Sequence, residues 1–225
     1  MEAIRTIVLI LHVAAGFVAL TVGLVPFVAQ KGSPLHNTAG WIFCYAMVFV
    51  ATSAFGLAIY RFNPFLLMVG LLTLYTTVTG YRGLRFMRAP AAVGQPRDWG
   101  LLIVSGVALG LTVWQTTVQF GTENVSVLIL IGFFAVSLLN LLRQDVALFT
   151  GRKPMRGTAW IRYHIGRISG AYIATLTAFL VNNVHTDPEF IAWLLPTVVG
   201  VPAIVYFKRQ YGGRKGGKYT ARKAT

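Results

Sequence analysis

An all-α bundle of seven transmembrane helices is the fold class that the sequence predicts. Three observations carry it: seven apolar stretches of bilayer length, basic residues that alternate between successive links, and aromatic residues at the ends of the stretches. Only 12% of the 225 residues are charged, about half the roughly 25% of a soluble domain. With 56% hydrophobic residues and a mean hydropathy of +0.65, the chain has too little polar surface to cover a water-soluble fold.

In hydrocarbon every backbone group must be satisfied within its own helix, so each span needs about 20 mostly apolar residues. The first stretch, 4–30, follows Arg5 but is far longer than the ~7–15 residue apolar core of a secretory signal. Phe27 two positions before Ala29 also denies it an A-x-A site, so it reads as a helix. The second and third, 37–60 and 64–86, are joined only by Arg61, Phe62 and Asn63, which forces an antiparallel pair, and Pro64 suits a first helical turn. The fourth, fifth and sixth occupy 99–120, 125–149 and 161–182. The seventh, 190–207, carries Pro196, Gly200 and Pro202, a pattern for a kink or a broken helix. Residues 1–207 thus form the membrane domain, and 208–225 a flexible basic tail with seven Lys or Arg and no acid.

The formal charge of +14 is placed unevenly. Lys31, the basic residues around the third link and those around the fifth, and the tail put eighteen of the twenty cations on one side. Only Arg5 and Arg61 fall on the other. The positive-inside rule then puts the N-terminus outside and the C-terminus in the cytoplasm. Trp41, Trp99, Trp160 and Tyr206 read as inner interfacial anchors, Tyr60 and Trp193 as outer ones. The basic loops and tail suit anionic lipid headgroups, and with no nucleic-acid-binding module before the tail, nucleic acid is not an expected partner.

Cys44 is the single cysteine, so there is no intrachain disulfide, no thiolate zinc site and no C-x-x-C pair for covalent haem attachment. No Asp or Glu lies mid-span; Asp98 and Asp145 fall at cytoplasmic ends, which argues against a carboxylate relay. The four histidines are therefore the chemical candidates. His12 lies eight residues beyond Ile4, roughly 12 Å along its helix at 1.5 Å per residue. His36 and His164 stand at matching depth at the cytoplasmic starts of helices two and six, where the helix dipole favours neutral, ligating imidazole. His185 is interfacial.

Non-covalent haem b requires axial ligands on facing helices and small residues beside them. His36 with Gly40, and His164 with Gly166 and Gly170, meet that demand, and Lys31, Arg162 and Arg167 suit the propionates. His36 and His164 are the preferred iron ligands, with His12, on a face shared with Gly16, Ala19 and Gly23, for a second site. Plain hydrogen bonding by the histidines and close packing at G-x-x-x-G account for the same residues without a cofactor.

Three stretches, HVAAGFVALTVGLVPFVAQKGSPLHNTAGWIFCYAM at 12–47, YTTVTGYRGL at 75–84 and HIGRISGAYIATLTAFLVNN at 164–183, together resemble a family of predicted bacterial multi-pass membrane proteins classed as a domain of unknown function. The resemblance covers about half of the chain. It implies the bacterial cytoplasmic (inner) membrane and brings no substrate or reaction. Histidines near helix ends with glycines beside them are also similar to those of membrane b-type cytochromes.

The expectation is a haem b protein supporting electron transfer near the cytoplasmic face, with no catalytic residue assignable. Two other classes remain open. One is a small-solute carrier lined by Tyr75, Thr79, Gln115, Gln119, Asn140 and Thr175; the other is an accessory subunit docking a membrane-protein partner.

Overall fold

The computed structural model describes residues 2–60, 63–121, 125–187 and 190–212. Arg61, Phe62, Glu123, Glu189 and the tail cations Arg214, Lys215, Lys218, Arg222 and Lys223 lie outside the described residues, as does the side chain of Tyr60.

The described residues form seven α-helices, one short 3-10 turn and no strand: α1 (Glu2–Val28), α2 (Pro34–Tyr60), α3 (Pro64–Arg88), α4 (Pro96–Phe120), α5 (Val125–Phe149), α6 (Ala159–Asn183) and α7 (Phe190–Gly212), with Pro90–Ala92 between α3 and α4. Five of them, α1, α2, α4, α5 and α7, are long and apolar enough to cross a membrane.

Three starts share one chemistry. Pro34, Pro64 and Pro96 each open a helix, where the missing N–H costs nothing. Before them, the Ser33 hydroxyl accepts the His36 N–H at 3.2 Å and the Asn63 side chain accepts the Leu66 N–H at 3.1 Å. In α4 the direction reverses, and Asp98 reaches back to accept the Gln95 N–H at 3.0 Å. These caps carry α2 and α4 three residues further toward the N-terminus than the apolar pattern predicts.

At the other end of α1, Pro26 lies in the last turns and Lys31 folds back to donate to the carbonyls of Pro26 at 2.5 Å and Phe27 at 2.8 Å. A cation there satisfies orphan carbonyls and opposes the negative end of the dipole. Burial pushes the Lys31 ammonium below its ordinary pKa. Lys31→Met keeps the stem and removes the donors, and is expected to cost about 1 kcal/mol, read as a lower thermal midpoint in mild detergent, with Lys31→Arg retaining most of the stability.

Two compact units divide the chain. Unit 1 comprises 1–75 and 104–139, unit 2 comprises 76–103 and 140–225. In unit 1, α1 packs along α2, burying Ala19 and Gly23, and α3 passes α2 where Gly70 meets Ala54. In unit 2, α6 packs along α7, with Gly200 against Ile173. Phe86, Ala92, Leu148, Trp160 and Tyr163 form its apolar cluster. Gly94 takes a φ of +74° beside that cluster, where any Cβ would meet the Phe149 carbonyl at 3.1 Å.

Exposure is inverted relative to a soluble protein. Ile4, Phe17, Tyr45, Val104, Trp114, Ile129 and Val198 are exposed, whereas Thr73, Thr76, Thr77, Thr79, Ser105, Thr112, Thr116, Thr175 and Thr177 are buried. Many of these hydroxyls are spent on their own helix: Thr112, Thr116, Thr175 and Thr177 each donate to the carbonyl four residues back. A surface of this kind suits hydrocarbon.

Two expectations are revised. Trp160 is no interfacial anchor; it is 3% exposed, packed against Phe86 and Tyr163. The seventh helix is longer than its apolar bound of 207, because α7 runs on to Gly212, with the Phe207 and Tyr211 rings stacked one turn apart and Lys208 lying over Gly166 of α6.

Candidate functional site

The histidines are held by backbone and hydroxyl oxygens. In unit 1, the His36 Nδ1–H donates to the Pro26 carbonyl at 3.2 Å, the same oxygen that Lys31 reaches. In unit 2, the His164 Nδ1–H donates to the Gly80 carbonyl of α3 at 3.0 Å. A carbonyl can only accept, so in both rings Nδ1 carries the hydrogen and the neutral tautomer places its lone pair on Nε2. His12 lies 2.8 Å from Ser53 Oγ of α2. The Ser53 hydroxyl also lies within hydrogen-bond reach of the Phe49 and Val50 carbonyls, at 2.7 and 3.0 Å, so it bridges α1 to its own helix. His185 is exposed beyond the end of α6.

The glycines separate into two kinds. Around Gly16, Gly40 and Gly170 no atom outside the local helix lies within 4 Å of where a Cβ would sit. Gly166 is different, because the end of the Lys208 side chain lies 2.5 Å from where a Cβ would sit. Of the cations expected near propionates, Lys31 caps α1, and Arg162 is exposed.

Arg167 is committed elsewhere. Its Nη2 pairs with Asp145 Oδ1 at 2.7 Å and donates to the Leu141 carbonyl at 3.2 Å, while its guanidinium lies 4.7 Å from the centre of the Tyr163 ring. The Tyr163 hydroxyl donates to the same Asp145 oxygen at 3.0 Å and accepts from Thr79. Asp145 is 0% and Arg167 3% exposed, so α3, α5 and α6 are tied by a buried network in which the two charges pair with each other. Arg82 of α3 pairs with the buried Asp98 of α4 and lies over Phe86.

Asp145, Tyr163, Asp98 and Arg82 were not singled out as site residues by sequence reasoning. A signal existed for Asp145: it continues the α5 stripe of Val127, Ile131, Phe134, Leu138 and Leu142 at three- and four-residue steps, so a buried carboxylate needing a cation follows from register. The carrier lining does not share one environment. Tyr75, Thr79 and Thr175 are buried, whereas Gln119 and Asn140 are exposed. No group of three or more His, Cys, Asp or Glu capable of holding a metal ion occurs among the described residues.

Comparison with protein-family models, with curated proteins and with solved structures finds no match to this chain.

Proposed function

We propose that the chain is a seven-span protein of the bacterial cytoplasmic membrane, N-terminus outside and C-terminus inside, that binds haem b near the cytoplasmic face through His36 and His164. The observation that carries the reading is the shared tautomer of the two histidines. Metal-ligating histidine typically donates its other ring N–H to a carbonyl or carboxylate, which orients the ring and raises its basicity. The Pro26 and Gly80 carbonyls do this for His36 and His164.

Open space at Gly40 and Gly170 supports approach of a macrocycle to those helix faces, whereas Gly166, under Lys208, is better read as a packing position. Arg162 is the exposed cation suited to a propionate, and Arg167 serves Asp145. Bound haem would supply one-electron chemistry toward a quinone or a metal ion. The protein's part is to orient the imidazoles and exclude water.

Seven spans are supported by the two helices that fall short of the apolarity of the rest. α3 and α6 carry most of the buried threonines and are joined by the bond from the His164 ring to the Gly80 carbonyl, so they are covered by protein and need not be apolar all round. The arginines of α3 and the cations of α7 remain on the side expected to face the cytoplasm, where anionic headgroups are the suited partner.

The test is a reduced-minus-oxidised absorption spectrum of protein purified in mild detergent after haem-replete expression. One haem per site is expected, lost on His36→Ala and on His164→Ala and retained on His12→Ala. Loss in only one of the two variants would assign the second axial position elsewhere. Pigment-free intact protein would overturn the proposal.

A further inference from the structure

We propose that the outward face of α5 is the contact between two copies of this chain, paired through Asn140. α5 has two clearly divided faces. Val127, Ile131, Phe134, Leu138, Leu142, Asp145 and Leu148 are buried, while Ile129, Phe133, Val136, Leu139 and Asn140 are exposed. Asn140 sits two positions past the centre of the apolar stretch Val127–Phe149, about 3 Å along the axis at the α-helical rise.

An amide at that depth has no water to bond. Several other outward polar groups solve this within their own helix. Thr21 and Thr52 donate to carbonyls one turn back, and Asn182 and Asn183 do so at 2.7 and 2.8 Å. Asn140 makes no side-chain hydrogen bond to any described residue. Hydrocarbon makes an unspent donor and acceptor costly, and interhelical amide bonding is the usual relief.

The chemistry selects a second copy. A carboxamide is both donor and acceptor and so complements itself. Two copies in one membrane share orientation, and a two-fold axis along the membrane normal brings each Asn140 to its mate at identical depth. Phe133, Val136, Asn140, Arg143 and Gln144 follow a heptad seam, in which a single central asparagine fixes register and stoichiometry. Gln144, exposed one turn on, adds a second amide, and the long stem of the exposed Arg143 lets its charge reach the interface.

The experiment measures the monomer–dimer equilibrium of the full chain in lipid bilayers over a range of protein-to-lipid ratios. A dimer is expected whose dissociation constant rises about 5- to 30-fold on Asn140→Leu, with Asn182→Leu unchanged. Asn140→Cys in a Cys44→Ala background is expected to give an intermolecular disulfide on oxidation, a readout independent of how well the leucine variant folds. A chain monomeric at all ratios would overturn the proposal. So would a dimer that neither Asn140→Leu weakens nor Asn140→Cys cross-links, or a different membrane subunit held stoichiometrically on α5.

Discussion

Asp145→Ala is expected to be among the most destabilising single substitutions in the chain, costing about 3–5 kcal/mol. The carboxylate is 0% exposed and pairs at 2.7 Å with an Arg167 that is itself 3% exposed. Removing it takes the counter-charge from a guanidinium that keeps the Leu141 carbonyl and the Tyr163 ring among its contacts, and takes the acceptor from the Tyr163 O–H. Neither group can turn to water. A loss of that size is a large fraction of a typical total of about 5–15 kcal/mol. Asp145→Asn, which keeps an acceptor for Tyr163, is expected to lose less. The double variant Asp145→Leu with Arg167→Leu is expected to recover most of the loss, because replacing both charges by apolar groups removes the desolvation cost along with the attraction. Thermal unfolding in mild detergent, arranged as a double-mutant cycle, checks this. A double variant as unstable as Asp145→Ala would show that the two charges are not coupled and would overturn the account.

That network also shows what the sequence could and could not reveal. The helices themselves were legible, since apolar length sets them and the proline starts sharpen them; Pro64 was placed in its helical turn from sequence, whereas Ser33 and Asp98 act through caps that apolar periodicity does not register. Arg167 was counted among loop cations because topology rules sum charge by position along the chain. Its partner lies 22 residues away on another helix, and only the α5 register hints at it. The histidines were found by residue type and depth. Their partners were not, because the Pro26 and Gly80 carbonyls are backbone groups that every residue carries. Trp160 was misplaced for a related reason: a tryptophan near a span end suits an interface, and only packing against Phe86 and Tyr163 tells the buried case from the lipid-facing one.

Gly80→Ala is expected to cost about 1–3 kcal/mol and to disturb His164 as it does so. A Cβ at Gly80 would lie 2.8 Å from Arg167 Cβ and 3.0 Å from two atoms of Ile168. Arg167 Cβ is bonded to the α6 backbone, so no rotamer change relieves the overlap; α3 and α6 must move apart. The carbonyl of Gly80 is the acceptor for His164 Nδ1 at 3.0 Å, so the separation stretches that bond and loosens the ring. Gly83→Ala meets the Tyr163 ring at 2.7 Å and is expected to strain the same helix pair. Gly166→Ala should be milder because only the flexible end of Lys208 stands in the way. Gly40→Ala and Gly170→Ala, with nothing within 4 Å, should be neutral or slightly stabilising through helix propensity. Thermal midpoints of the five variants check the order, and the ring-proton resonances of His164, compared between Gly80→Ala and Gly170→Ala, check the coupling. Equal losses at Gly80 and Gly170 would mean that close α3–α6 approach is not what positions His164.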